Sequence, residues 1–148
     1  MNKKQNAEKC PCGSGKTYHS CCEPYINGTE IAPNPEALMR SRFTAYTQLN
    51  EAYVLASWHT STRPDDLNLR EQPVIKWTRL KIIDSSDNMV EFVAVHKVNG
   101  KAHKLHERSQ FIQEQGRWFY VDGDVERINI RQQTQQKDST KCSEKLGS

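Results

Sequence analysis

Long apolar runs are missing from this chain of 148 residues, and so is a strong excess of charge of one sign. The apolar runs extend over only a few residues, which excludes a membrane-spanning helix of about 20 residues. The N-terminal segment MNKKQNAEK has no hydrophobic stretch of the kind that a secretory signal needs, so we expect a cytoplasmic protein. A formal charge of +3, with scattered lysines, does not by itself predict nucleic-acid binding.

Cysteine is scarce, but most of it is concentrated in one stretch, CPCGSGKTYHSCC. Four of the five cysteines form two close pairs there, Cys10 with Cys12 and Cys21 with Cys22. Two thiolate pairs joined by a short glycine-containing loop can surround one tetrahedral metal ion. The spacing therefore predicts a metal site with these four ligands, and zinc is favoured over iron.

Two other interpretations of this stretch are disfavoured. GSGKT is similar to a phosphate-binding loop, but that pattern needs a glycine where the chain has Cys10, and no apolar strand precedes it. Separate disulfides from the adjacent Cys21 and Cys22 are awkward within so short a loop. Lys9 and Lys16 flank the cysteines, and we expect them to offset part of the negative charge of four thiolates.

The run from Cys10 to Cys22 resembles the SEC-C motif, the small zinc-binding tail of the preprotein translocase motor SecA. The resemblance implies the same four cysteines as zinc ligands. The SecA tail docks on the chaperone SecB, and related tails are associated with ribosomes. The resemblance thus implies a protein partner at this zinc knuckle, with a chaperone or the ribosome as candidates.

Changes in composition divide the chain into four parts. We expect the zinc knuckle at residues 1–24, a turn-rich linker at 25–34, an α+β domain at 35–128 and a disordered tail at 129–148. The tail is polar and shows no apolar periodicity. Because the linker is poor in apolar residues, we expect the α+β domain to fold without the knuckle.

Helix signals come first in the α+β domain, and strand signals follow. Asn34 before Pro35 predicts an N-cap and a helix from Pro35 to Leu49, and Asn50 predicts the cap of a second helix, Glu51–Ser57. A short third helix is predicted at Asp65–Leu69. Four strands are predicted, separated by turn residues: Val74–Ile83, Met89–Val98, Lys104–Gln113 and Arg117–Val121. This order predicts helices that cover one face of a curved antiparallel sheet.

An arginine lies near the centre of the apolar face of the first helix. A buried guanidinium needs a carboxylate or several carbonyl partners, so Arg42 predicts an acidic residue on a facing element. Alternation along the third strand places Glu107 on the same side as Leu105 and Phe111. We therefore predict that Arg42 and Glu107 form an ion pair in the core or line a common pocket.

This second part of the chain resembles the YchJ family of small bacterial proteins. The resemblance rests on four stretches: ALMRSRFTAY, SWHTSTRP, HERSQF and GRWFYVDGD. It implies a SEC-C knuckle joined to a domain similar to the nuclear-transport-factor-two superfamily, a cone of helices wrapped by a bent sheet. Many relatives carry a second cysteine-rich knuckle at the C-terminus, but this chain has only Cys142 there.

Three functions are compatible with these patterns. The first is a cytoplasmic zinc-binding adaptor that docks through its knuckle and binds a second ligand with its cone. The second is an enzyme with Glu107 as general base, Arg42 as anion clamp, and Tyr46, Tyr120 or His59 as donors. The third is RNA binding through the lysine-rich knuckle and the basic tails. We favour the adaptor, because the motif is a docking tail elsewhere.

Overall fold

The computed structural model describes residues 8–127. The predicted tail at 129–148, including Cys142, lies outside the described residues. In the described range no helix is both long enough and apolar enough to pass through a membrane.

Within residues 8–127, three α-helices precede the sheet. They are α1 (Glu23–Ile26), α2 (Pro35–Thr47) and α3 (Glu51–Ala56), and a 3-10 turn spans Tyr18–Ser20. Both predicted caps are confirmed: the Asn34 side chain accepts from the N–H of Ala37 at 2.8 Å, and Asn50 accepts from that of Tyr53 at 3.1 Å. α2 ends at Thr47 and not at the predicted Leu49, because Leu49 has a φ of 56° that cannot continue a right-handed helix.

An antiparallel meander of four strands follows, in the order β1-β2-β3-β4. The strands are β1 (Lys76–Ser85), β2 (Met89–Val98), β3 (Lys101–Glu114) and β4 (Arg117–Arg127). The hairpin predicted at Asn99 and Gly100 is confirmed, with φ of 51° and 80°. β4 is longer than the predicted Arg117–Val121 and runs through Gly123, because pairing with β3 continues to Arg127. Bulges in β1 and β4 help to bend the sheet.

The segment between α3 and β1 contains no helix, so the predicted helix Asp65–Leu69 is wrong. The carboxylate of Glu51 accepts hydrogen bonds from the backbone N–H groups of Leu67 at 2.9 Å and Leu69 at 3.3 Å. Asn68 between them has φ of 52°. These N–H groups are satisfied by Glu51, so the segment can cross the surface without helical hydrogen bonds.

The predicted α+β layering is confirmed. The side chains of β2 at Val90, Phe92 and Ala94 are buried on the concave face, as the alternation predicts. Phe111 of β3 is buried on the same face, and Leu38 and Phe43 of α2 pack against this core. The helices thus cover one face of a bent sheet and form the cone domain.

The knuckle packs into this core, which argues against the predicted independent folding of the α+β domain. Cys10, Cys12 and Cys22 belong to the same buried cluster as residues of the cone domain, and Tyr25 of α1 packs against it. α2 is therefore enclosed on two sides: its apolar face meets the sheet, and Thr44, fully buried, meets the knuckle. The segment predicted as a linker contributes to this packing instead of separating the two parts.

Candidate functional site

The four predicted ligands come together in the structure. Their sulfur atoms all lie within 4.8 Å of one another, with Cys12 Sγ 3.6 Å from Cys21 Sγ and the latter 3.9 Å from Cys22 Sγ. All four cysteines are free thiols. Sulfur ligands at zinc–sulfur distances of about 2.3 Å in a tetrahedron are about 3.8 Å apart. The cluster therefore fits one four-coordinate metal ion without rearrangement.

A tight backbone loop holds the first cysteine pair. The N–H of Cys10 donates to the carbonyl oxygen of Lys16 at 2.9 Å, and the N–H of Gly13 donates to that of Cys10 at 3.2 Å. Gly13 has φ of 80°, and a Cβ there would lie 3.2 Å from the carbonyl oxygen of Leu80 on β1. Glycine is needed here for its backbone conformation and because the loop sits closely against the sheet.

Two side chains of α2 contact the sulfur cluster from the cone domain. The hydroxyl of Thr44 donates to Cys22 Sγ at 3.4 Å and lies 3.6 Å from Cys10 Sγ. Arg40 places Nη1 at 2.9 Å from the carbonyl oxygen of Cys12 and at 3.8 Å from Cys12 Sγ. Arg40 places a positive charge beside the thiolates, and Thr44 places a hydrogen-bond donor there, as the outer shell of a metal site does.

The charge on the cluster is balanced differently from the sequence-based expectation. Arg40 is the cation that contacts a sulfur atom, whereas Lys9 donates its Nζ to the carbonyl oxygen of Gly15 at 3.3 Å. Hydrogen bonds from Cys10 and Cys22 lower the pKa of Cys12, while the hydrogen bond with Cys10 raises the pKa of Cys22. A divalent ion bound here would take the place of the thiol protons.

The donor set indicates a structural and not a catalytic metal. Four sulfur ligands complete a tetrahedron, so no coordination position remains for a water or a substrate. Cys10, Cys12 and Cys22 are 4%, 0% and 1% exposed, and only Cys21 is half-buried. A metal bound here would fix the knuckle against α2 and β1.

The second predicted pair, Arg42 and Glu107, lines one cavity of about 110 Å³ between α2 and the concave face of the sheet. Arg42 is 3% exposed, and its Nη1 donates to the carbonyl oxygen of Val54 at 2.9 Å and to Ser57 Oγ at 2.8 Å. Its guanidinium carbon lies 4.4 Å from the ring centroid of Tyr120. Partners on α3 and at its C-terminal end, together with an aromatic ring, therefore satisfy much of this buried cation.

The direct ion pair expected between Arg42 and Glu107 is not formed. The carboxylate of Glu107 accepts hydrogen bonds from Ser109 Oγ at 2.8 Å and from the Tyr120 hydroxyl at 3.2 Å, both on Oε2. Tyr120 thus contacts both groups. The register explains the difference, because β3 and β4 bring hydroxyl donors to Glu107 while α3 brings a carbonyl oxygen to Arg42.

Burial raises the pKa of Glu107, although the hydrogen bonds from Ser109 and Tyr120 and the charge of Arg42 act in the opposite direction. Burial also lowers the pKa of Arg42 and raises that of Tyr46, which lines the same cavity. The cavity is therefore a partly desolvated site with one cation and one carboxyl group, which is a common setting for ligand binding.

Of the donors proposed for an enzyme, Tyr46 and Tyr120 line the cavity. His59 does not: its Nε2 lies 3.0 Å from Glu114 Oε2 and its Nδ1 lies 2.7 Å from Ser61 Oγ, outside the cavity lining. His59 is therefore removed from the set of candidate donors.

Sequence reasoning missed three residues that shape the two sites. Arg40 and Thr44 were overlooked because a helical wheel shows only the face that meets the sheet, and both residues face the knuckle. Gly123 pairs with Ser109 on β3, and a Cβ at this position would collide with the carboxylate of Glu107. The predicted fourth strand ended at Val121, before this glycine, which makes room for a buried side chain.

Comparison with known families matches both parts of the chain. Residues 34–123 match the family described as YchJ, middle NTF2-like domain, and residues 7–24 match the SEC-C motif. The UPF0225 protein of Deinococcus radiodurans is 46% identical over 114 residues, covering 76% of this chain and 86% of the relative. The UPF0225 protein of Chromobacterium violaceum is 46% identical over 132 residues, covering 82% and 96%.

Two solved structures have the same architecture. The solution structure of a SEC-C motif containing protein from Rhodopseudomonas palustris is 33% identical, with a TM-score of 0.69 over 78% of this chain and 96% of that one. The crystal structure of a SEC-C motif containing protein from Psychrobacter arcticus is 22% identical, with a TM-score of 0.61 over 80% and 82%, and shows the shared fold. With its four-cysteine knuckle and its cone of helices on a bent sheet, the chain belongs to the YchJ family.

Proposed function

We propose that this protein is a zinc-dependent adaptor of the cytoplasm. Its knuckle docks on a protein partner, with a chaperone or the ribosome as candidates, and its cone domain binds a second ligand. The observation that carries the proposal is the closed four-sulfur centre, which leaves no coordination position for catalysis and rigidifies a surface loop.

The two sides of the knuckle differ in a way that supports docking. Its inner side, with Cys12 and Cys22, is buried against α2, whereas Gly13, Gly15 and Lys16 of the loop are exposed. A loop held by a metal loses little conformational freedom on binding, which favours recognition of a partner. The exposed lysine adds positive charge to that surface.

Two purified partners test the docking proposal: a SecB-type chaperone, by calorimetry, and ribosomes, by cosedimentation. The zinc-loaded full chain should bind one of them, and Lys16→Glu should weaken that binding by about tenfold through charge repulsion at the contact. The matched control is Lys101→Glu, an exposed lysine at the β2–β3 turn, which should bind like the wild type. Docking through the knuckle is contradicted if neither partner binds, or if both lysine variants behave alike.

One observation favours a second candidate, an enzyme that uses the cone cavity. Glu107 lines the cavity and makes no direct ion pair with Arg42. Such a pair would lower the pKa of the carboxyl group and make it a poor base, whereas burial raises that pKa. In this case Glu107 would act as base and Arg42 would hold a polar group of the substrate. Glu107→Gln would then abolish turnover while the protein remains folded, which a circular dichroism melt would establish.

A further inference from the structure

The cavity of the cone domain has the size and the lining of a site for a single ring. Its volume is about 110 Å³, and a dry cavity of about 150 Å³ is known to hold benzene. Trp58, Trp77, Phe43 and Phe92 supply aromatic surface on several sides. These residues surround the cavity on several sides, so a single flat ring suits its volume and lining.

Two polar groups that line this cavity have hydrogen-bonding capacity that the described residues leave unused. Arg42 donates only through Nη1, and its Nε and Nη2 make no hydrogen bond to the described part of the chain. Glu107 accepts both of its hydrogen bonds on Oε2, and Oε1 accepts none from the side chains that the structure describes. The cavity therefore offers a cationic donor and a carboxylate acceptor to a ligand.

The charges of these groups restrict the ligand. An anionic ligand would gain from Arg42 but would meet Glu107 in a partly desolvated site, where like charges repel strongly. A cationic ligand would meet Arg42 in the same way. A neutral ligand avoids both penalties, provided that it has an acceptor for the guanidinium and a donor for the carboxylate.

We propose that the cone cavity binds a neutral, planar, single-ring cyclic amide, in which a C=O group and an N–H group are adjacent. The carbonyl oxygen accepts from the free donors of Arg42, the N–H donates to Glu107 Oε1, and the ring lies among the aromatic side chains. This ligand class rests on the proposed role of the cone domain as the part of the adaptor that binds a second ligand.

The probe is 2-pyridone, the simplest molecule with this arrangement, titrated into the zinc-loaded full chain. Trp58 and Trp77 line the cavity, so their fluorescence reports occupancy, and saturation-transfer NMR provides an independent readout. We expect saturable binding at millimolar concentration or tighter, within the range open to a ligand of so few atoms. Benzoate and benzylamine, an anion and a cation that carry the same size of ring, should bind at least about tenfold more weakly because each meets a like charge.

Two variants locate the site. Glu107→Gln retains the volume of the side chain but removes the charged acceptor, and should weaken 2-pyridone binding by about tenfold. Ala94→Leu fills the cavity, because Ala94 lines it and is 1% exposed, and should abolish binding. A thermal melt of each variant shows whether it is folded. If Ala94→Leu does not fold, Glu107→Gln alone decides.

The proposal is overturned if folded wild-type protein shows no saturable binding of 2-pyridone, or if Glu107→Gln binds it as tightly as the wild type. It is also overturned if toluene binds as tightly as 2-pyridone, because the polar pair would then contribute nothing. Chaperone and ribosome binding measured on the same preparation separates the two proposals, since loss of the amide site leaves docking through the knuckle intact.

Discussion

Arg40 on α2 donates from Nη1 to the carbonyl oxygen of Cys12 at 2.9 Å, and this bond joins the knuckle to the cone domain across 28 residues of sequence. The Nε of the same side chain donates to Glu36 at 3.1 Å, which fixes its orientation. Together with the burial of Cys12 and Cys22 in the common core, this contact makes the metal site part of the fold. Changes at the metal are therefore expected to alter the stability of the whole described structure.

Protein purified without added metal should contain one ion per chain, and removing it should lower the melting temperature of the cone domain, because binding free energy of the metal contributes to folding. Elemental analysis and a thermal melt with and without a chelator measure both quantities. Replacing Cys21 and Cys22 by Ser should abolish metal binding, whereas Cys142→Ser, at the remaining cysteine, should not. Retention of the metal by the Cys21 and Cys22 variant would contradict the four-sulfur site.

Deleting residues 1–30 should destabilise the remaining chain instead of leaving it unchanged. The deletion uncovers the side of α2 that carries Arg40 and Thr44 and removes the apolar contacts of Tyr25, each of which contributes to the common core. Urea unfolding of the truncated and the full chain measures the difference, and we expect a midpoint lower by an amount equivalent to several kcal/mol. Equal midpoints would restore the interpretation of an independent knuckle.

Thr44→Val tests the support that the cone domain gives to the metal. Valine keeps the shape of the fully buried side chain but removes the hydroxyl beside Cys22 Sγ and Cys10 Sγ, so metal affinity should fall by about 10- to 100-fold. Competition with a chromogenic chelator measures that affinity. Thr47→Val is the matched control on the same helix, since the Thr47 hydroxyl donates to the backbone carbonyl of Thr44 and to no sulfur. A similar loss in both variants would exclude a specific role for the Thr44 hydroxyl.

Glu107→Gln should remove the part of the pH dependence of stability that comes from the buried carboxyl group. Burial raises the pKa of Glu107 in the folded state, so the folded protein holds this proton more tightly than the unfolded chain. The resulting stabilisation is fully present below the ordinary carboxyl value of 4.5 and is lost as the pH rises through the folded pKa.

The wild type should therefore lose stability relative to Glu107→Gln as the pH rises above 4.5, and the variant should be at least as stable at neutral pH. Denaturant midpoints across this range measure the difference, and the exposed Glu71→Gln serves as control. A variant that is less stable than the wild type at neutral pH would instead indicate that the carboxylate charge is needed in the core, as a strong coupling to Arg42 would require.

Gly123→Ala should be destabilising through contact with Glu107, by about 1–3 kcal/mol, which is typical of overpacking. A Cβ at this position would occupy space that the carboxylate of Glu107 now fills. In a Glu107→Ala background the same change should cost little, so the two substitutions should be strongly non-additive in a double-mutant cycle of unfolding free energies. Additivity would show that Gly123 is required for its backbone and not for the space beside Glu107.

The local signals of the chain predicted its local structure well. Asn34 and Asn50 cap helices because a side-chain oxygen placed before an apolar run satisfies a free N–H group of the first turn, whatever the rest of the chain does. The exact span of β2 follows from the strict alternation of buried residues and from the turn at Asn99 and Gly100. The missing helix at Asp65–Leu69 shows the limit, because Glu51, distant in sequence, satisfies that backbone.

By itself the sequence determined the four cysteines of the candidate metal site, the order of helices and strands, and the presence of Arg42 and Glu107 on inward-facing positions, because spacing and periodicity are local properties. Only the tertiary structure decided what these groups contact. The docking of the knuckle on α2 brought Arg40 and Thr44 to the sulfur atoms. The pairing of β3 with β4 gave Glu107 the hydroxyl of Tyr120 in addition to that of its strand neighbour Ser109, instead of the guanidinium of Arg42. Such choices depend on distances between segments far apart in the chain, which packing sets and periodicity does not encode.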